Sequence, residues 1–95
     1  MLRKKEEDLE FWYSTGGGVD FFKLEGTPFT GILEHHYPDN GLESEEEYLG
    51  GRPQGWFRSY FQNGQLEREY QTDDNFRITG TYKHYDENGN LLVEM

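Results

Sequence analysis

Ninety-five residues make one domain, near the lower size limit for a self-sufficient core. Only 33% of them are hydrophobic but 17% are aromatic, so the apolar area rests on seven Phe, seven Tyr and two Trp, each able to bury roughly 150–250 Å². The absence of cysteine excludes disulfides and thiolate metal sites, and a net charge of -10 from 19 acidic and nine basic residues opposes binding to nucleic acid or to an anionic membrane surface.

Residues 1–10, "MLRKKEEDLE", form a charged lead in which acids stand where a signal sequence needs an apolar run. No stretch approaches the ~18 apolar residues of a membrane span, and a cytoplasmic location is the expectation. The lead reads equally as a short helical turn or as a disordered segment. Residues 11–30 carry two aromatic runs around Gly16, Gly17 and Gly18 and read as a degenerate N-terminal hairpin that caps a sheet. The three glycines lack the Lys and Ser/Thr of a phosphate loop, which leaves them the role of a turn.

From residue 31 the chain repeats itself. Gly31, Gly55 and Gly80 stand 24 and 25 residues apart and open "GILEHHYPDNGL", "GWFRSYFQNGQL" and "GTYKHYDENGNL". These define repeat 1 over 31–54, repeat 2 over 55–79 and a truncated repeat 3 over 80–95. Each contains an Asn-Gly pair, Asn40-Gly41, Asn63-Gly64 or Asn88-Gly89, between runs of strand-forming residues. Asn-Gly is a strong hairpin signal because both residues tolerate the positive φ of a type I′ turn. One hairpin alone is marginal in water, so the units must share a sheet. The prediction is an all-β fold: an antiparallel β-meander of stacked hairpin repeats in one open sheet. "YLGGRPQG" and "QTDDNFRITG" read as links between hairpins.

The second and fifth positions after each opening glycine, Leu33, Phe57 and Tyr82 against His36, Tyr60 and Tyr85, differ in parity. In a regular strand they leave on opposite faces. The sheet is therefore expected to carry apolar side chains on both faces.

Two sets of side chains stand out as candidate partner-binding residues. Glu43, Glu45, Glu46 and Glu47 crowd one strand, with Glu43, Glu45 and Glu47 on one face by strict alternation, where like charges repel. They read either as a docking patch for a basic surface or as a solvated face that discourages edge pairing. Trp56, Arg58 and Tyr60 alternate on one face and are residue types enriched at interface hot spots; the alternative is Trp56 in the core with Arg58 paired to a Glu. His35, His36 and His84 do not make a metal site: equivalent positions two repeats apart lie about 19 Å away in a flat sheet with strands about 4.7 Å apart. No nucleophile set and no cofactor motif is present, so neither an enzyme nor a cofactor is expected.

The stretch from Gly26 to Leu91, with Pro28, Phe29, Thr30 and Gly31 leading into repeated aromatic-aromatic-x-Asn-Gly-x-Leu hairpins, resembles the variant MORN repeat of bacterial YwqK-type antitoxin components of toxin-antitoxin systems. It departs from that pattern in "TDDNFRITG" and in Asp86, where the other copies carry Tyr37 and Phe61. The resemblance implies a hairpin array that acts as a protein-binding module, specifically an antitoxin or immunity-type protein that occludes a basic toxin. The alternatives are a scaffold that self-assembles through its edge strands, leaving a monomer or a weak homo-oligomer, and attachment to a lipid surface, which the net charge opposes.

Overall fold

The computed structural model describes residues 1–95. Its architecture follows from five chain reversals of one type. In repeat 2 the Phe61 N–H donates to the Gln65 carbonyl at 2.9 Å and the Gly64 N–H to the Phe61 carbonyl at 2.9 Å, with φ of 88° at Gly64 alone. This is a three-residue loop closed by one left-handed residue, a common hairpin connection. Repeat 3 reproduces it from Asp86 to Asn90 with Gly89 at φ 88°, and the N-terminal hairpin from Thr15 to Val19 with Gly18 at φ 83°. In repeat 1 the extra residue puts Asn40, at φ 73°, in the left-handed slot instead of Gly41.

The Asn-Gly pairs are thus not the two-residue type I′ turns that their sequence predicts, because only one residue of each pair takes positive φ. The turns with two consecutive positive φ values are Glu25-Gly26, at 51° and 80°, and Gly50-Gly51, at 61° and 90°. "DDNFR", read as part of a link, is the fifth copy of the three-residue loop, running from Asp73 to Arg77 with Phe76 at φ 63° in the glycine slot. Aspartates brace these loops. Asp86 Oδ1 accepts from the Asn88 and Asn90 amides at 2.9 Å each, and Asp73 Oδ1 from Asn75 and Arg77 at 2.8 and 3.0 Å. The same amides hold both carboxyls below the ordinary aspartate value.

Ten strands result: β1 Arg3–Lys5, β2 Glu10–Ser14, β3 Asp20–Leu24, β4 Thr27–Pro28, β5 Gly31–His36, β6 Leu42–Leu49, β7 Arg52–Tyr60, β8 Leu66–Thr72, β9 Ile78–Tyr85 and β10 Leu91–Glu94. The long sheet has the order β1-β5-β6-β7-β8-β9-β10 and is an open antiparallel meander from β5 onward. The charged lead is not free chain: β1 pairs in parallel with β5, and Glu6–Asp8 then make a short helical turn, one turn of 3₁₀ helix.

The expectation of one sheet needs correction. Strands β2, β3 and β4 form a separate three-stranded sheet instead of extending the meander. The reason is a backbone contact at Gly51: the Phe22 N–H donates to the Gly51 carbonyl at 2.9 Å, and the Gly51 N–H to the Phe29 carbonyl at 2.8 Å. Between the sheets lie the buried side chains Phe22, Phe29, Leu33 and Tyr48, with Leu9 and Leu24 packed against them. Arg52 fastens the far side, its guanidinium 5.5 and 5.2 Å from the ring centroids of Phe21 and Phe76, which meet edge to face 6.0 Å apart.

Gly51 has no room for a side chain. A Cβ there would fall 2.8 Å from Trp12 Cζ3 and 3.0 Å from the Phe22 carbonyl oxygen, whereas one at Gly64 would meet nothing within 4 Å. Gly64→Ala is expected to cost about 1–2 kcal/mol, the left-handed penalty alone. Gly51→Ala adds the displacement of the small sheet and costs clearly more. Urea denaturation of both variants checks this, and equal losses would contradict it.

Candidate functional site

The acidic strand β6 divides its side chains between two unlike surfaces. On the first, register places Glu34, Glu45, Arg58, Glu69, Lys83 and Glu94 in line across six strands. The charges on this surface are largely met from within. Arg3 bridges Glu34 and Glu45, Arg58 donates to Glu69 at 3.2 Å, and Lys83 lies 3.9 Å from Glu94. The Tyr60 hydroxyl donates to Glu45 at 2.6 Å, and the Arg58 guanidinium lies 4.4 Å from the centroid of the Trp56 ring. Burial alone would raise the Glu45 carboxyl, but the hydrogen bonds from Tyr60 and Arg3 outweigh it and hold the group below the ordinary value. Burial, reinforced by Glu45, pushes the Tyr60 phenol up to about 12.

Glu45, Trp56, Arg58 and Tyr60 are therefore together on one face, and the polar groups of Glu45, Arg58 and Tyr60 already have partners. Glu47 accepts the Trp56 amide at 3.0 Å, and Glu43 is exposed near the end of the strand.

Glu46 points the other way. Its cross-strand neighbours are Leu33 and Phe57; Phe57 stacks on Tyr70 at 4.9 Å, and Tyr70 in turn on Tyr82 at 5.6 Å. Aromatic side chains thus lie on both faces of the sheet, Tyr60 on one and Phe57 on the other, as their parity predicts. The small sheet covers only the Leu33 and Tyr48 end of the second face. Beside it opens a cleft of about 350 Å³ lined by Phe22, Tyr48, Tyr70 and Phe76 together with Glu6, Asp20, His35 and Glu46.

Most polar groups of the cleft are occupied. The Tyr48 hydroxyl donates to the Asp20 carbonyl at 3.0 Å, Asp20 accepts from Ser14, and Glu6 lies 3.1 Å from His35 Nε2. The Glu46 carboxyl makes no hydrogen bond and no ion pair; burial pushes it above the ordinary value. The histidines are dispersed, with His36 3.5 Å from Glu34 and His84 opposite Arg68, and no three His, Asp or Glu side chains converge as a metal ion would require.

Sequence reasoning grouped Glu46 with its acidic neighbours, although alternation alone separates it from Glu45 and Glu47. It passed over Tyr70 and Phe76. The signal for Phe76 is present: "DDNF" aligns with "FQNG" and "DENG" and shows an aromatic residue where glycine is the comfortable choice.

With this geometry in place, residues 54–74 and 78–95 match the family model described as MORN repeat variant. The matched segments fall on most of repeat 2 and on repeat 3, the part of the chain that forms the open hairpin sheet from β7 to β10, and repeats of the matched kind generally serve protein or membrane binding. Comparison with curated proteins and with solved structures finds no match.

A half-buried carboxyl without a partner has a thermodynamic signature. Its native pKa lies above the unfolded value near 4.5, so the native state holds the proton more tightly and loses stability as pH rises through the native value. Glu46→Gln is therefore expected to raise the urea midpoint at pH 7, with the gain shrinking as pH falls towards 4.5. A wild-type protein more stable than the variant at pH 7 would contradict this.

Proposed function

We propose that this protein is a cytoplasmic binding module that docks on a basic surface of a protein partner, and that its specific role is that of an antitoxin or immunity-type protein which occludes a toxin. The observation that carries the reading is the cleft face, where an unpartnered carboxyl, Glu46, sits among aromatic rings at the open side of the sheet. Aromatic anchors in a partly desolvated recess are the usual source of interface affinity. The net charge of -10 supplies the long-range field that speeds encounter with a cationic surface and selects its sign. The charged ladder on the opposite face is poorly suited to docking, because a partner would have to break ion pairs that already exist. The Ser44 hydroxyl lies 3.4 Å from His35 Nδ1, and His35 Nε2 lies 3.1 Å from Glu6, but Ser44 is not among the residues that line the cleft, and binding is the role proposed.

A second reading rests on strand β10. It borders the long sheet and exposes Leu91, Leu92 and Val93, an edge on which another copy could pair. Sedimentation over a concentration series separates the two readings, a strict monomer leaving the docking reading alone.

The docking reading is tested by capture from lysate of the source cells, followed by kinetics with the purified partner. Association is expected to slow at least tenfold between ionic strengths of about 0.01 M and about 1 M, as the Debye length shrinks from about 30 Å to 3 Å. A rate that salt leaves unchanged would contradict electrostatic docking. For the antitoxin role, expression of the partner alone should arrest growth and co-expression of this protein should relieve the arrest.

A further inference from the structure

We propose that the cleft between the two sheets is a receptor for one cationic side chain, a lysine ammonium or an arginine guanidinium on its apolar stem, presented by a basic protein segment. The inference rests on the docking reading above and names the chemical group that the cleft takes.

Four features converge on this ligand. The first is size: about 350 Å³ is at the small end of ligand sites, enough for one long side chain and too little for a folded element. The second is the wall, formed by the rings of Phe22, Tyr48, Tyr70 and Phe76, which suits a hydrocarbon stem and the face of a cation. The third is charge. Glu6 is engaged by His35 and Asp20 by Ser14, which leaves Glu46 as the lining carboxyl with no hydrogen bond and no ion pair, His35 acting on it only through charge at longer range. A carboxylate held on an apolar face is costly unless a cation meets it.

The fourth is Phe76. The equivalent loops place Gly18, Asn40, Gly64 and Gly89 in the left-handed slot, where a bulky side chain carries backbone strain. Here the strained residue contributes a ring to the cleft and already has the Arg52 guanidinium over it at 5.2 Å. The molecule thus already holds an internal arginine against the paired rings of Phe21 and Phe76, the second of which lines the place proposed for an external cation. A neutral apolar group would fill the same walls but leave Glu46 without a partner, and an anion would face three carboxylates.

The test is a titration of the intact ¹⁵N-labelled chain, followed by amide shifts, with N-acetyl-lysine N-methylamide, N-acetyl-arginine N-methylamide, their uncharged analogue N-acetyl-norleucine N-methylamide, and n-butylammonium as a free amine. The expected result is saturable shifts at Glu46, Tyr48, Tyr70 and Phe76 with a capped cationic residue, at a Kd on the order of 1 mM for so small a probe. The norleucine analogue is expected to bind at least tenfold more weakly. Glu46→Gln should weaken the cationic probe at least tenfold while keeping the dispersed spectrum of the folded chain, and Phe76→Gly, which suits the turn, should weaken it severalfold.

No saturable shift with either cation, equal binding of norleucine, or indifference to Glu46→Gln would overturn the proposal. Binding of n-butylammonium tenfold tighter than either capped residue would overturn the assignment to a side chain in favour of a free amine. A silent cleft in a protein whose partner still associates in a salt-dependent way removes this inference alone. Capped cations that bind a protein whose partner association ignores salt remove the docking reading alone.

Discussion

The structure depends on the approach of two backbones at Gly51. A chain with so few apolar residues cannot stabilise a long meander by covering either face completely, and one face is closed only where the small sheet reaches it. Its contact with the long sheet is centred on paired main-chain hydrogen bonds through Gly51 and on the buried side chains Phe22, Phe29, Leu33 and Tyr48, with Arg52 against Phe21 and Phe76 at the far side. Any side chain at residue 51 would hold the layers apart. Because the small sheet is short, it ends before the aromatic row does, and the cleft is what remains between its rim and the rings of Tyr70 and Phe76.

The two faces of the long sheet solve the problem of acidity differently. On the ladder face, acids alternate with bases across neighbouring strands, an arrangement in which cross-strand pairs contribute roughly 0.2–1 kcal/mol each. Arg3 comes from the N-terminal strand to separate Glu34 and Glu45, so β1 joins an acidic edge and relieves its repulsion. On the cleft face Glu46 has no ion pair, and its burial among Leu33 and Phe57 disfavours the charged form more than the neighbouring His35 favours it. Groups that cost stability without a structural return are often kept for binding, which agrees with the docking role proposed for the cleft face.

Much of this was legible in the sequence. The repeat frame set by Gly31, Gly55 and Gly80, the hairpins, the open sheet and the presence of aromatic residues on both faces all follow from spacing and parity. The turn type did not, since Asn-Gly fits both a two-residue loop and a three-residue loop, and the choice is made by how the flanking strands register. Phe76 was hidden because residue preference argues against a bulky ring at positive φ; tertiary packing against Phe21 and Arg52 overrides it. The second sheet was hidden for a similar reason. Periodicity identifies the β2–β3 hairpin but carries no information about whether it extends a sheet or folds over it, and the deciding contact is a glycine in what reads as an ordinary link.

Amide hydrogen exchange tests the central claim most directly. If the docking of the two sheets through Gly51 closes the core, the amides of Phe22, Phe29 and Gly51, bonded to the carbonyls of Gly51, Phe22 and Phe29 respectively, exchange as slowly as those in the middle of β6 and β7. Exchange of these three amides at the rate of free chain, with β6 to β9 still protected, would show that the small sheet is not docked and that the cleft is not a standing feature of the fold.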